Sequence, residues 1–437
     1  MSESPATPRP VLPADHPRRR ELNNEVHARP PDAMTPPVRI AYLVLLSEPG
    51  RRELERAELA ELLRRFDGPV PPPGAKHVSA DLGAFRVTFE QHTEFVRYTF
   101  LVNGAGAGSF ADTVFDRVPA DWLERLGGQV MAATHVLLLP ASPDPVDLEA
   151  VSRDYFHGNE LVGSVIEGGY ETALTDFRIH GDRFARLLVL DHAGGARQTG
   201  RSVQRLLELD SYRLMALLAL PVARELVPHL EACERELAEI ADALVVASPE
   251  DEAGLLERLS RLQADLGRRD SATHARFGAA AAYYEVVRQR VRDLREERIA
   301  GLQTFQEFTE RRLAPAMNTC RAVSERLAGL VERTARMIQT LATRVQMTRE
   351  QQNQELLASM NRRVKLQLQL QSTVEGLSVA AITYYVVGLV GYAAKGLEAG
   401  GAPVDGTLVT GLAIPVVALL VAFAVRRVRH ALSHEES

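Results

Sequence analysis

The apolar positions of this chain fall into three regimes. Between Val38 and Asp191 they come in short runs and alternations: VRIAYLVLL is a continuous apolar run, FRVTFEQHTEFVRYTFLV is strand-like, and ATHVLLLP, ELVGSVIEGG, ETALTDFRIH and RFARLLVLD extend the pattern. Between the first two, PGRRELERAELAELLRRF has the spacing of an amphipathic helix. In the alternating stretch Phe85, Val87 and Phe89 share one face, and Arg86, Thr88, Glu90, His92 and Glu94 the other. Beyond Phe95 the apolar parity moves to Val96, Tyr98 and Phe100, which signals a bulge or turn. Strands mixed with helices predict an α+β or α/β domain over residues 38–195.

After Gly194 and Gly195 the strand signals stop. From about Arg201 to Gln371 the chain is rich in leucine, alanine, arginine and glutamate, which predicts long helices. Breaks are expected at Pro221, Pro228, Ser248 to Gly254, Gly267 to Ser271 and Pro315, giving a bundle of antiparallel hairpins. Beyond Pro315, Val323, Leu327, Leu330, Met337 and Leu341 keep partial heptad spacing, the pattern of a coiled coil. Residues 316–394 read either as one helix of roughly 120 Å at about 1.5 Å per residue, or as two helices folded against the bundle.

The third regime has two uninterrupted apolar segments. Gly376 to Ala394 and Gly406 to Val425 run 19 and 20 residues without a charge, each long enough to cross a bilayer. The eleven residues between them, Lys395 to Asp405, allow only a tight connection, so residues 373–426 are expected to form a transmembrane hairpin with a kink at Pro415. Arg362, Arg363 and Lys365 precede the first span, Arg426, Arg427 and Arg429 follow the second, and only Lys395 lies between. That asymmetry puts both ends of the hairpin, with the tail 427–437, on the cytoplasmic side of the membrane. Tyr384 and Tyr385 fall mid-span, where their hydroxyls need partners. Ser378, Thr383, Gly388 and Gly391 allow close helix contact or a thin polar pore lining.

The 437 residues carry 51 basic and 57 acidic side chains, a net charge of −6 that gives no general attraction to nucleic acid. Two separated cysteines, Cys233 and Cys320, fit a reducing compartment and small buried side chains. Nine prolines in the first 37 residues predict an extended arm that packs on the domain. Within HPRRRELNNEVHARPP, the residues Asn23, Asn24, Glu25, His27 and Arg29 offer enough polar valence for a ligand, or for the turns of a docked arm. Glu90, His92 and Glu94 are candidate ligands for a hard or borderline metal, set against a solvated strand face. NGAGAGSF lacks the lysine of a phosphate loop, and no nucleophile elbow, zinc-protease or kinase signature occurs, so nothing in the sequence supports an enzyme, and no cofactor is expected.

ELNNEVHARPP, QHTEFVRYTF, TDFRIHGDRF, SYRLMALLALP and TVEGLSVAAITYY together resemble a bacterial domain-of-unknown-function family (DUF3422) whose members are called uncharacterised membrane-anchored proteins. The resemblance runs over nearly the whole chain and implies a protein of the bacterial inner membrane without implying an activity. The order of elements, with two C-terminal spans, is also similar to CorA-type divalent-cation channels. Their Gly-Met-Asn tripeptide is replaced here by GYAAKG, so magnesium selectivity is not implied. The expected partners are the lipid bilayer and further copies of the chain. The leading expectation is a membrane-anchored scaffold or regulatory protein; the alternatives are an ion conduit without that tripeptide and a ligand-binding or hydrolytic body.

Overall fold

The computed structural model describes residues 13–20, 22–23, 32–48, 50–104, 108–401, 403 and 405–433, with side chains up to residue 427. It divides into two compact units, Met1–Ala243 with Arg258–Arg336, and Leu244–Glu257 with Met337–Ser437.

The first unit holds a nine-stranded sheet: β1 (Val38–Leu46), β2 (His77–Asp81), β3 (Arg86–Gln91), β4 (Phe95–Asn103), β5 (Gln129–Pro140), β6 (Val162–Ile166), β7 (Glu171–Thr175), β8 (Ala185–Asp191) and β9 (Glu297–Arg298). Their spatial order is β2-β3-β4-β1-β5-β8-β7-β6-β9. The β5–β8 pair is parallel and the other pairings are antiparallel. The fold is therefore a mixed α/β sheet domain followed by a long helical region and a C-terminal apolar helix. The apolar run of β1 lies at the centre of the sheet and is buried along nearly its whole length, as a strand covered on both faces must be.

One face carries the aromatic core. Leu43, Phe89, Tyr98 and Phe100 pack with Leu59, Leu62 and Leu63 of α1 (Arg52–Arg65) and with Trp122 of α2 (Ala120–Arg125). Trp122 donates its indole N–H to the Glu58 carbonyl at 2.8 Å, which satisfies the one polar atom it buries. The opposite face is covered by α4 (Ala196–Leu217), which meets the sheet through polar contacts: Tyr42 with Ser211 at 2.7 Å, and the Thr134 hydroxyl donating to Asp210 at 2.9 Å. Between β5 and β6 lies α3 (Leu148–Phe156), N-capped by Asp147.

The parity change at Phe95 marks a hairpin: His92 to Glu94 form the turn between β3 and β4, and the His92 N–H donates to the Phe95 carbonyl at 2.9 Å. Strands β2 and β9 carry no apolar pattern that announces them. β9, two exposed residues within the helical region, extends the sheet through backbone pairing with β6.

Helix boundaries fall at the breaks expected near Pro221, Ser248 and Pro315, but not at Pro228 or at Gly267 to Ser271. The helices are α5 (Ala219–Val246), α6 (Pro249–Asp293), α7 (Phe305–Arg312), α8 (Ala314–Ala399) and α9 (Gly406–Ser433). Pro221 and Pro315 sit in first turns, where the missing N–H has no partner to lose, and Pro228 is tolerated inside α5. The break expected at Gly267 to Ser271 does not occur. Leu259, Leu262, Leu266, Phe277 and Ala280 stay buried through it, and Gly267 lies on the open side. Of the two readings of residues 316–394, the single continuous helix is the one found.

In the first unit, parts of α5, α6 and α8 form a bundle. Leu226, Leu230 and Leu237 of α5, and Val323, Leu327 and Leu330 of α8, are buried at heptad spacing, with Arg326 of α8 on Glu234 of α5. Val323, Leu327 and Leu330, three positions of the expected coiled-coil stripe, are thus covered within the chain. Cys233 and Cys320 are free thiols in this interior, pushed up by burial.

Candidate functional site

Of the two polar clusters singled out in the sequence, the second contributes Glu90 and His92 to the α4 face of the sheet. Glu90 lies directly opposite Arg97 in the β3–β4 ladder, and the two form an ion pair with both residues almost fully buried. Arg97 also faces Glu208 of α4 at 3.6 Å. Glu208 in turn accepts from Gln204 at 2.9 Å and from Arg290 of α6. His92 and His77 place a ring nitrogen 3.5 and 3.9 Å from Glu90. Tyr42 adjoins Arg97, and burial, partly offset by that guanidinium, pushes its hydroxyl up to about 12. Charges alternate along this chain of groups, so each buried carboxylate has a cation beside it.

Glu94 points elsewhere. Both its oxygens accept from Arg276 of α6, at 3.0 and 2.8 Å, and the Tyr283 hydroxyl donates to it at 2.8 Å. Glu90 and Glu94 are therefore held by different arginines, and among the described residues no three His, Cys, Asp or Glu side chains converge as a metal site. Phe95 stacks on the His92 ring and meets Tyr212 and Tyr283 edge-on or tilted, closing the apolar side of this turn.

The arm's described end reaches the same place. Asp32 accepts from Arg86 at 3.2 Å and from the Thr88 hydroxyl at 3.0 Å, and the Met34 N–H donates to the Ala196 carbonyl at 2.8 Å. A Cβ on Gly200 of α4 would lie 1.8 Å from the Asp32 carbonyl oxygen, so only glycine lets the arm come this close. Arm, sheet and α4 enclose a cavity of about 50 Å³, sized for a few waters, with Asp32, His77, Glu90, Arg97 and Gln204 supplying polar groups and Met34, Val203 and Leu207 an apolar wall. Asn23 lies in an exposed helical turn ahead of this segment. Asn24, Glu25, His27 and Arg29 lie outside the described residues.

A larger groove, of about 610 Å³, opens elsewhere on the sheet. β8 pairs with β5 only from Thr134 onward, so Gln129 to Ala133 have β1 on one side alone. Val130, Met131, Phe177, Ile179 and Phe184 line the gap, with Asp210 and Arg213 at its floor. Asp176 fixes one wall by accepting from Asn159 at 2.8 Å and pairing with His180 at 2.9 Å. The volume suits a small molecule.

The second unit contains the apolar hairpin. Its seam is built from small residues: a Cβ on Gly391 would lie 3.2 Å from the Thr410 hydroxyl, Ala394 is buried, and Glu398 accepts the Gly406 N–H at 3.2 Å. Gly388 has open space in front of it, Thr383 turns into the seam, and the Ser378 hydroxyl donates to the Val374 carbonyl at 2.9 Å. Tyr384 and Tyr385 lie outside the seam, 78% and 72% exposed, with their rings edge to face at 5.9 Å. Arg362, Arg363 and Lys365 precede the first apolar segment on exposed helix, and Arg426 and Arg427 follow the second; the Arg429 side chain lies outside the described residues. Both helices are long and apolar enough to cross a membrane, with mean hydropathies of 1.7 and 2.7 over their most apolar windows.

The chain belongs to the family described as protein of unknown function (DUF3422), whose model matches residues 14–432. No curated protein matches it.

Proposed function

We propose that this chain is a membrane-anchored scaffold, held in the bacterial inner membrane by its C-terminal hairpin with both ends cytoplasmic, and associating with further copies through α8. The observation that carries the anchoring is the outward face of the hairpin. Leu377, Leu389 and Tyr392 on one helix, and Leu412, Leu419 and Phe423 on the other, are each more than half exposed while the seam between the helices is closed. In water such a face is a liability, whereas in hydrocarbon it matches its solvent.

Support for self-association comes from the part of α8 ahead of the apolar segment. No residue of 342–375 is buried. Leu356, Leu357, Met360, Val364, Leu368 and Val374 fall within an arc of about 120° at 100° per residue. A lone helix of that kind is marginal in water, and copies tethered in one bilayer present the same face in parallel.

Two measurements test the reading. The full-length protein should stay with membranes through an alkaline wash. A single cysteine replacing Met360 should crosslink between copies, and Leu357→Glu with Val364→Glu should abolish that crosslink. Release by the wash would remove the anchor, and a monomer in membranes without crosslinking would remove the assembly.

A further inference from the structure

Strands β7 and β8 set two carboxylates against each other. Glu171 and Asp191 are directly paired residues of this antiparallel ladder, so their side chains leave the same face of the sheet. Glu171 is fully buried, and neither of its carboxylate oxygens has a hydrogen-bond partner. Like charges placed opposite each other are destabilising, and a buried carboxylate without a donor is more so. Among the described residues neither group has an ion-pair partner. Something must neutralise the pair.

The neighbouring atoms are oxygens. Thr199 and Ser202, both fully buried in the first two turns of α4, put their hydroxyls beside Glu171 without reaching hydrogen-bond geometry. The loop from β8 to α4 closes the space with Gly194, whose N–H donates to Asp191 Oδ1 at 2.8 Å. A Cβ on Gly194 would lie 2.7 Å from Asp191 Oδ1, 2.9 Å from Thr199 Oγ1 and 3.5 Å from Glu171 Oε1. Oxygens from β7, β8 and α4 thus converge around one point that is left open by the absence of a side chain.

We propose that Glu171, Asp191, Thr199 and Ser202 bind one hard divalent cation, of the magnesium or calcium kind, which ties β7 and β8 to the start of α4. Two carboxylates and two hydroxyls, completed by water, are an oxygen donor set for such ions, at ligand distances of about 2.0–2.6 Å that small side-chain rotations reach. Thiol and imidazole ligands are not needed, so the site leaves no signature among His and Cys positions. Without the cation, burial and the adjacent Asp191 push the Glu171 carboxyl up, and a proton takes the cation's place. The site also bears on the arm, because Met34 hydrogen-bonds the first residue of the helix the cation would hold.

The test uses the full-length protein in detergent, stripped with a chelator and dialysed. Titration calorimetry and thermal melting are followed with magnesium, calcium and, as a control, potassium. The expected result is one divalent ion per chain, a saturable rise in melting temperature that potassium does not give, and at least about a tenfold loss of affinity in Glu171→Gln and in Asp191→Asn. Whichever ion binds more tightly identifies the occupant. Should Glu171→Gln fail to fold, Asp191→Asn, at a partly exposed position, carries the test. Absence of binding by either ion, with a melting temperature indifferent to both, would establish the shared proton and overturn the proposal. So would binding that both substitutions leave intact.

Discussion

Replacing Arg97 by methionine is expected to cost about 3–5 kcal/mol of folding stability. The side chain is 5% exposed and stands between Glu90 and Glu208, each of them equally shielded from water. Methionine keeps much of the volume but leaves Glu90 with only two histidines beside it, while Glu208 retains Arg290. The uncompensated charge, rather than lost packing, should dominate. Adding Glu90→Leu to Arg97→Met should then restore at least about 1 kcal/mol, because removing an unpaired buried charge is favourable where removing a paired one is not. Denaturant unfolding of the detergent-solubilised protein reads both variants. A loss under about 1 kcal/mol in the single variant would mean that the network is hydrated and that the cavity beside it is open to solvent.

Acidification should destabilise the sheet domain through His135. This residue is 5% exposed and stacked on Phe184 at 4.0 Å. Burial lowers its imidazole from the usual 6.5 to about 4, with Arg186 acting in the same direction and Asp182 and Asp116 against it. Between pH 6.5 and about 4 the unfolded chain takes up a proton that the native state refuses. Stability therefore falls as pH drops through that window, by up to about 3 kcal/mol, and this contribution levels off below it. His135→Phe keeps the stack and removes the titration. The difference in unfolding free energy between wild type and variant should grow in the variant's favour from pH 7 to pH 4 and stay constant above pH 7. A pH-independent difference would place a compensating negative charge or a water path at the ring.

Much of the fold was legible because burial imposes period. The run in β1, the alternations of β3 and β4 and the parity change at Phe95 each reflect a strand with a covered face. β2 and β9 were not legible, since an edge strand with little buried surface is specified by backbone pairing that leaves no apolar pattern. Proline marked helix boundaries at Pro221 and Pro315, in the first turns of α5 and α8, and misled at Pro228, inside α5, because the cost of proline depends on its position in the helix rather than on its presence.

The heptad stripe of α8 was visible, but its partner was not. An apolar seam does not say whether the facing helix belongs to the same chain, and Val323, Leu327 and Leu330 turn out to be buried within the chain itself, beside the pair that Arg326 makes with Glu234 of α5. The candidate site was half legible. Glu90, His92 and Glu94 were singled out from one strand, yet Arg97, Glu208, Arg276 and Tyr283, which decide what those carboxylates do, come from elements far away in sequence. The Glu171–Asp191 pair depends on strand register and had no sequence signal.

Membrane anchoring with both hairpin ends in the cytoplasm is tested most directly by topology. With Cys233 and Cys320 replaced by serine, single cysteines are placed at Ala399, between the two apolar helices, and at Ser433, after the second. Intact spheroplasts are then treated with a membrane-impermeant thiol reagent. Labelling at position 399 and protection at 433 until the cells are lysed is the expected result. Labelling at 433 in intact spheroplasts, or equal labelling of both positions only after lysis, would contradict the hairpin and the anchored scaffold built on it.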